Sequence, residues 1–547
     1  MTDVVAERVT GTVADAFAAS VARFGGHDFL QVLPETAAAL GVEARSWTYA
    51  EVAVEVARLR AAYAAVGYGH GHRAGLLLLN RPEFLIHFIA LNGLGVSVVP
   101  INPDWRSAEL EYVIEHSEIC VAACLLERAA ALATAAASVG RPLALTGPDG
   151  AGIGAAFGPP PGAARRPDTD TECALLYTSG TTGRPKGCVL PNEYYLYAGQ
   201  WYAQVGGLCE VRPAVERMLT PLPLTHMNAM AYSTMCMMLT GGCLVLLDRF
   251  HPRSWWDSVR ASRATIVHYL GVMPAMLLAA PESTDDRRHA VRFGFGAGVN
   301  SRHHAAFEQR FGFPLLEAWA MTETGSGAVV IANHEPRHVG SACFGVAEPA
   351  VECRIVDETG GDVVPGTPGE LLVRHAGAEP RFGFFRRYLK DDAATAEAWA
   401  GGWFHTGDLV TRDATGQLRF VDRKKNVIRR SGENISAVEV ESVLAQHPAV
   451  RTVGVTAVPD PVRGDEVFAC VVLHDAGAGG EALARELAGF CLERLAYFKA
   501  PGYAAFCGTL PLTPTEKIQR SKLKELGQQL LEQGACVDLR SMKRRGE

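Results

Sequence analysis

A run of glycines and hydroxyl-bearing residues follows an apolar segment near residue 175. Glycines let successive backbone N–H groups turn toward an anion, hydroxyls add donors, and a lysine supplies positive charge. The spacing of glycines and lysine differs from that of the Walker loop. A shorter run would be read as a surface turn, but here donors, glycines and lysine coincide directly after an apolar strand. We therefore expect a polyphosphate-binding loop of Thr178, Ser179, Gly180, Thr181, Thr182, Gly183 and Lys186.

A second segment, residues 317–324, sets an aromatic side chain close to threonines and a carboxylate. Such a combination could belong to a ligand site. Taken alone, the segment would fit a buried aromatic residue beside a solvated glutamate better. Its assignment to a site depends on the rest of the chain.

The elements that must position these residues alternate along the chain. Apolar strand-like runs alternate with helix-like runs, which predicts parallel sheets covered by helices. After Val351, short strands separated by Gly, Pro and Asp turns predict a small barrel or meander. Beyond residue 422 a compact α+β pattern follows. The strand predictions in the first part are 74–79, 96–100, 243–247, 265–270 and 291–295, with a helix over 82–94.

Length and composition narrow the class of protein. The 547 residues exceed one compact core, and 48% hydrophobic with 20% charged residues is typical of a globular chain. A net charge of −7 offers no polycationic surface, so neither nucleic acid nor anionic membrane is the expected partner. Thirteen cysteines without a C-x-x-C pair favour a reducing cytoplasm. The apolar window 231–247 is broken by two glycines, so no membrane span is expected. The oligomeric state stays open.

The loop at 178–187 resembles the signature loop of adenylate-forming enzymes, which include acyl-CoA and aryl-CoA synthetases, luciferases and peptide-synthetase adenylation domains. Further motifs in the family's order extend the resemblance over essentially the whole chain. The C-terminal half is most similar to acyl-CoA synthetases of the carnitine/crotonobetaine–CoA ligase-like branch. The segments that carry this similarity are 422–435, 495–501 and 510–517.

The resemblance implies that ATP and Mg²⁺ are used and assigns residues to them. By position, Trp319 would stack on adenine, Thr322 would contact the α-phosphate and Glu323 would hold Mg²⁺. Asp408 would bind the ribose hydroxyls. Trp319 stands where the family usually has tyrosine, and Ala320 where it has glycine. The other residues expected around the nucleotide and acyl pocket are Gly296, Ala297, Gly298, Glu317 and Ala318.

The same resemblance assigns roles beyond residue 422. Arg423 would support the ribose or phosphates, and Lys425 aligns with the family's hinge. Gly432 and Glu433 would lie in the loop that reaches the active site during thioester formation. Lys517 would be the lysine that adenylation requires. We expect two domains, 1–422 for ATP and acid binding and 423–547 as a mobile domain carrying Lys517.

On the acid side, residues 221–228 resemble the segment that lines the carboxylate and CoA tunnel. His226 could be a pocket residue or a satisfied core histidine, and both readings stay open. The segment lacks the aspartate that usually binds an α-amino group, which argues against an α-amino acid. Arg429, Arg430 and Lys499 could offer charge to the CoA phosphates, with a solvated surface as the alternative.

Together these features predict an α/β fold: a large N-terminal domain of βα-layered sheets plus a small β-barrel, and a small mobile α+β C-terminal domain. The expected activity is ATP-dependent conversion of a carboxylic acid to acyl-AMP with pyrophosphate release, then transfer to coenzyme A. The alternative acceptors are an amine or a carrier thiol, and the alternative substrate is an inorganic oxyanion such as nitrite. A non-catalytic nucleotide-binding relative is the remaining rival.

Overall fold

The computed structural model describes residues 10–162, 165–178, 184–299, 301–357, 359–423, 428–435, 437–511, 518 and 520–544. The chain forms two compact units. The larger takes residues up to 103, 113–176 and 187–421, and the smaller takes 104–112, 177–186 and residues from 422 onward. Two upstream segments are thus grouped with the C-terminal part, and the domain division at 422/423 stays a prediction.

The helices and strands alternate through most of the larger unit. The helices are α1 Val13–Phe24, α2 Pro34–Leu40, α3 Tyr49–Ala65, α4 Pro82–Asn92, α5 Ser107–Ser117, α6 Leu126–Ser138, α7 Asn192–Gln204, α8 Thr234–Thr240, α9 Trp255–Ser262, α10 Val272–Leu278, α11 Ser301–Phe311, α12 Asp392–Ala398, α13 Ala437–Leu444, α14 Glu481–Leu492 and α15 Arg520–Glu532. The strands are β1 Asp28–Val32, β2 Ser46–Thr48, β3 Arg73–Leu77, β4 Ser97–Pro100, β5 Val121–Cys124, β6 Ala144–Thr146, β7 Glu172–Thr178, β8 Lys186–Pro191, β9 Arg217–Thr220, β10 Cys243–Leu246, β11 Ile266–Leu270, β12 Phe293–Ala297, β13 Leu315–Trp319, β14 Val330–Ile331, β15 Cys343–Gly345, β16 Val351–Val356, β17 Gly369–His375, β18 Arg387–Tyr388, β19 Phe404–Arg412, β20 Leu418–Arg423, β21 Ile428–Arg430, β22 Glu433–Ile435, β23 Val450–Asp460, β24 Gly464–Leu473, β25 Tyr503–Phe506 and β26 Val537–Asp538.

Three sheets build the larger unit. One runs in the order β14-β13-β12-β11-β9-β10-β1-β2 and a second in the order β18-β8-β7-β4-β3-β5-β6, each with a parallel centre. A third, antiparallel sheet has the order β15-β20-β19-β17-β16. In the smaller unit, β22-β21-β24-β25-β26 form a mixed sheet with β23 paired to β24. This confirms the α/β fold class.

Helix α4 shows why the core lies between sheets. Proline occupies its first position, where the missing N–H is no loss, and the helix is buried all round. A helix without a polar face is found where other elements cover it on all sides. Phe84, Phe88 and Leu91 are all fully buried in the large apolar core.

The apolar window 231–247 folds as part of a π-helix, Asn228–Ser233, followed by α8 and β10. Gly241 ends α8 with a left-handed φ of 75°, which a glycine adopts readily. Across the described ranges, none of the helices combines the length and apolarity that a membrane crossing needs.

Candidate functional site

Four neighbouring parallel strands, β9, β11, β12 and β13, end at the same edge of the first sheet. Residues 221–228 follow β9, Gly298 follows β12, and Thr322 with Glu323 follow β13. In open α/β sheets, ligands bind at the carboxyl ends of the strands. The topology therefore gathers the segments predicted for the acid, the adenine and the phosphates at one edge.

The glycine loop after β12 is held by Glu317 on the next strand. One carboxylate oxygen accepts from the Gly298 N–H at 2.8 Å and the other from the Val299 N–H at 2.9 Å. Burial raises the pKa of Glu317. A Cβ on Gly296 would lie 2.3 Å from the Tyr269 carbonyl oxygen, so only glycine fits there. The carboxylate of Glu317 thus fixes the conformation of the loop by accepting hydrogen bonds from the loop's backbone N–H groups. Ala297 and Ala318 lie on β12 and β13 themselves.

Trp319 and Asp408 meet although 89 residues separate them. The indole Nε1–H donates to Asp408 Oδ2 at 2.9 Å, and both side chains are buried. The Asp408 N–H in turn donates to Thr406 Oγ1 at 3.0 Å. A hydrogen bond to an ionised group is stronger than one between neutral groups. The predicted adenine and ribose residues are therefore joined by one charge-assisted hydrogen bond.

Two tyrosines support the residues predicted for the phosphates and metal. Tyr194 donates its hydroxyl to the Thr322 carbonyl oxygen at 2.9 Å, and Tyr388 donates to Glu323 Oε1 at 3.0 Å. Burial and the charge of Glu323 raise the pKa of Tyr388, which keeps the phenol protonated as a donor. A single oriented carboxylate fits Mg²⁺, which takes its other ligands from phosphates and water. Neither tyrosine was predicted from the sequence.

The predicted phosphate loop is described only at its two ends. Thr178 is the last residue of β7 and Lys186 the first of β8, and both side chains are half-buried. The five residues between them that were assigned to the loop, Ser179, Gly180, Thr181, Thr182 and Gly183, lie outside the described residues.

Residues assigned to the smaller unit are placed in part. Ser431 and Gly432 have φ of 50° and 90° and turn the chain between β21 and β22, so that Glu433 pairs with Arg430. Consecutive positive φ values are typical of a tight hairpin turn. The backbone of Arg423 ends β20. The side chain of Arg423, and all of Lys425 and Lys517, lie outside the described residues.

Contrary to our expectation, the side chain of Arg430 is not accessible to CoA. Its side chain is 1% exposed, and its Nε donates to Glu466 Oε2 at 2.8 Å. The ammonium group of Lys543 occupies the other oxygen of Glu466. The expectation that Arg430 contacts the CoA phosphates is wrong, because a buried guanidinium paired with a buried carboxylate serves the fold. Arg429, next to it, is exposed.

Lys499 is likewise engaged by carboxylates within the smaller unit. Its ammonium lies 2.6 Å from Glu109 Oε1 and 2.8 Å from Glu439 Oε1, and all three side chains are buried. The two carboxylates raise the pKa of Lys499 although burial opposes them. Its charge is neutralised inside the unit rather than presented on a surface.

The segment 221–228 is only partly buried at the sheet edge. The His226 side chain is half-buried, and the backbone N–H of this residue donates to the Pro223 carbonyl oxygen at 3.0 Å. The buried hydroxyl of Thr225 has no hydrogen-bond partner among the described residues. Asn228, which begins the π-helix, lies 2.6 Å from the ring of His268 on β11. Sequence reasoning missed His268, because an apolar strand contains it.

Comparison with known proteins identifies relatives along most of the chain. A profile described as AMP-binding enzyme matches residues 26–388, and one described as AMP-binding enzyme C-terminal domain matches 439–517. A crotonobetaine/carnitine–CoA ligase of Shigella flexneri is 31% identical over 503 residues, which cover 87% of this chain and 93% of the relative. An Escherichia coli O45:K1 protein of the same name is 30% identical over the same coverage.

Solved structures agree in fold. The o-succinylbenzoate CoA synthetase of Bacillus subtilis has a TM-score of 0.79 at 24% identity, covering 94% of this chain and 99% of its own. An amide bond synthetase of Marinactinospora thermotolerans has a TM-score of 0.77 at 24% identity, covering 93% and 99%. ATP-bound MatB of Rhodopseudomonas palustris has a TM-score of 0.65 at 26% identity, covering 94% and 98%.

Proposed function

The chain belongs to the AMP-binding enzyme family, and we propose that it activates a carboxylic acid with ATP and transfers the acyl group to coenzyme A. As a member of this family it is an AMP-forming ligase. The relatives named as CoA ligases support the choice of CoA, and the ATP-bound neighbour supports the use of ATP. The observation that supports the proposal is the hydrogen bond between Trp319 and Asp408 in the larger unit, which also contains Thr322, Glu323 and the segment 221–228.

In the first half-reaction, a carboxylate oxygen of the acid attacks the α-phosphorus of ATP. The new O–P bond forms as the bond to the β-phosphate oxygen breaks, which yields acyl-AMP and pyrophosphate. Asp408, oriented by Trp319, would hold the ribose, and the threonine at 322 would contact the α-phosphate. Glu323 would hold Mg²⁺, which supplies charge neutralisation for the phosphates when bound. Such catalysis is mainly positioning and electrostatic stabilisation.

In the second half-reaction, the thiolate of CoA attacks the acyl carbon of acyl-AMP. The C–S bond forms, the bond between the acyl carbon and the AMP oxygen breaks, and AMP leaves with the electron pair. The turn at Gly432 and Glu433 is the segment we assign to this step. Arg429 is exposed and can meet a CoA phosphate.

A second acceptor class deserves a direct test, because the same fold carries an amide bond synthetase. An amine or a carrier thiol would replace CoA without change to the adenylation residues. Activation of an inorganic oxyanion would change the first substrate instead. The adenylation chemistry is common to all these variants.

The test supplies ATP, Mg²⁺ and a panel of aliphatic, aryl and amino acids, and follows pyrophosphate and AMP with and without CoA. We expect pyrophosphate release with at least one carboxylic acid and AMP release that CoA accelerates. AMP release that ignores CoA but responds to an amine would replace the proposed acceptor. No pyrophosphate with any acid would contradict adenylation itself.

A further inference from the structure

A buried hydrogen-bond chain fixes the side chain of Asn228. Tyr202 on α7 lies 3.0 Å from His268 Nε2, and His268 Nδ1 lies 2.6 Å from Asn228 Oδ1 and 3.0 Å from Ser233 Oγ. Tyr202, Ser233 and His268 are fully or almost fully buried. Only Asn228 at the end of this chain is partly exposed.

The partners determine which ring nitrogen of His268 carries the proton. Ser233 donates its hydroxyl to the Asn228 carbonyl oxygen at 3.2 Å, so its oxygen is left to accept from His268 Nδ1. Burial raises the pKa of the Tyr202 phenol, which therefore stays a donor to Nε2. Nδ1 thus bears the hydrogen and Nε2 the lone pair. Burial also lowers the pKa of His268 to about 3, so the ring is neutral.

Because Nδ1–H donates, the amide of Asn228 must turn its oxygen toward His268. Its Nδ2 then points the other way, and that NH₂ group has no partner among the described residues. The buried Thr225 hydroxyl, three residues earlier in the same segment, also has none among them. Buried polar groups nearly always find a partner, so the Thr225 hydroxyl indicates a ligand atom at this segment. Asn228 is partly exposed in the same segment, and its Nδ2 is available to donate to such a ligand.

We propose that Asn228 donates a hydrogen bond from Nδ2 to an uncharged oxygen on the body of the bound acid. The enzyme would then select acids that carry a hydroxyl, oxo or amide oxygen besides the reacting carboxylate. The inference rests on the proposed function, because it deepens the acid site at the carboxyl edge of β9. His268 and Tyr202 act here as positioning residues that hold the amide in one orientation.

The chemistry of the surroundings favours an uncharged oxygen over a second carboxylate. The side chains hydrogen-bonded to His268 are uncharged, and so are Thr225 and Asn228 themselves. A second carboxylate in a partly buried pocket would need a cation to offset its desolvation. A neutral oxygen needs only a donor, which Asn228 supplies.

The experiment compares acids that differ by one oxygen: hexanoate against 3-hydroxyhexanoate, 5-oxohexanoate and 6-hydroxyhexanoate, within a wider panel of C2 to C10 acids. The readout is the ratio of kcat/KM for pyrophosphate release between an oxygenated acid and its parent. We expect one oxygenated acid to be preferred by about ten-fold or more, since a site built to hydrogen-bond a group rejects analogues lacking it.

Variants then test whether Asn228 causes the preference for the oxygenated acid. Asn228→Leu should bring the ratio close to one, and Tyr202→Phe, which keeps the ring but frees the His268 tautomer, should lower it partly. Asn228→Asp keeps an oxygen for His268 but presents an acceptor, so 6-aminohexanoate should gain relative to 6-hydroxyhexanoate. Thermal unfolding of each variant verifies that it is folded, and the ratio cancels any general loss of activity.

Each other result overturns the inference in a distinct way. An unchanged ratio in Asn228→Leu would remove Asn228 from recognition of the acid body. An equal loss of kcat/KM for every acid would indicate that the Asn228 amide contacts ATP or the reacting carboxylate, which all the acids share. Pyrophosphate release without any preference would overturn the inference and leave the proposed function standing, whereas no release with any acid would overturn both.

Discussion

The indole N–H of Trp319 holds one oxygen of the Asp408 carboxylate at 2.9 Å in a buried setting. Hydrogen bonds to charged groups contribute roughly 1.5–3 kcal/mol. We expect Trp319→Phe to keep an aromatic face for adenine but to leave the carboxylate less oriented, which should raise the KM for ATP by about ten-fold or more. Steady-state kinetics with ATP and with 2′-deoxy-ATP measures this. Replacement of ATP by 2′-deoxy-ATP should raise the KM less in the variant than in the native enzyme.

Trp399→Phe is the matched control for this substitution. Its indole is also buried, but the Nε1–H has no hydrogen-bond partner among the described residues. The control therefore loses ring area without losing a hydrogen bond, and its KM for ATP should stay close to the native value. Equal effects of the two substitutions, or an unchanged penalty for 2′-deoxy-ATP in Trp319→Phe, would reduce the role of Trp319 to packing.

At the scale of elements, Lys543 joins the C-terminal residues to strands β21 and β24 through Glu466. Burial lowers the pKa of Lys543 from 10.5 to about 7, and Arg430 adds to the effect. Between these two pH values the unfolded chain holds a proton that the folded chain has released. The free energy of unfolding should therefore rise with pH across this window, by up to a few kcal/mol. Lys543→Met should flatten that rise.

Thermal unfolding midpoints measured from pH 7 to pH 10 for the native protein and the variant test this slope. Lys522→Met, an exposed lysine on α15, serves as the control because removal of a solvated charge should leave the slope as it is. Parallel curves for the native protein and Lys543→Met would show that Lys543 keeps an ordinary pKa in the fold.

Sequence patterns predicted the helices and strands better than they predicted which strands and side chains contact one another. The short strands expected after Val351 begin with β16, Val351–Val356, but the run predicted at 291–295 is a strand at Phe293–Ala297. Its limits follow from pairing with β11 and β13, which a local apolar pattern does not contain. Arg430 was expected to face CoA or solvent, because nothing in its charged run points to its partner Glu466, which lies 36 residues away.

The site shows the same limit. The family resemblance predicted the roles of Trp319 and Asp408 separately, one motif at a time. Their hydrogen bond, and the one between Asn228 and His268, join residues that are 89 and 40 positions apart. Such pairs arise from the tertiary packing of elements that are distant in sequence, so the resemblance predicts candidate site residues but not how their side chains are oriented.

For the whole molecule, the two half-reactions proposed above would make different demands on the C-terminal part of the chain. We expect Lys517→Ala to lower acyl-AMP formation by about two or more orders of magnitude, because a preorganised positive charge on the reacting groups is lost. Transfer to CoA from supplied acyl-AMP should be retained. Single-turnover assays of pyrophosphate release and of thioester formation separate the two steps.

Lys522→Ala provides the comparison, since it removes an exposed lysine from the same part of the chain. Both of its half-reactions should proceed at native rates. A loss of thioester formation in Lys517→Ala as large as the loss of adenylation would remove the division of labour and leave Lys517 with a general role in both steps.

The contact between Trp319 and Asp408 also has an optical consequence. Indole emission responds to nearby charge and to stacking, and Trp319 is one of eight tryptophans in the chain. If adenine stacks on this ring, titration with AMP should quench part of the intrinsic fluorescence, and Trp319→Phe should abolish that component. Nucleotide occupancy would then be visible in unlabelled protein, before any acid substrate is identified.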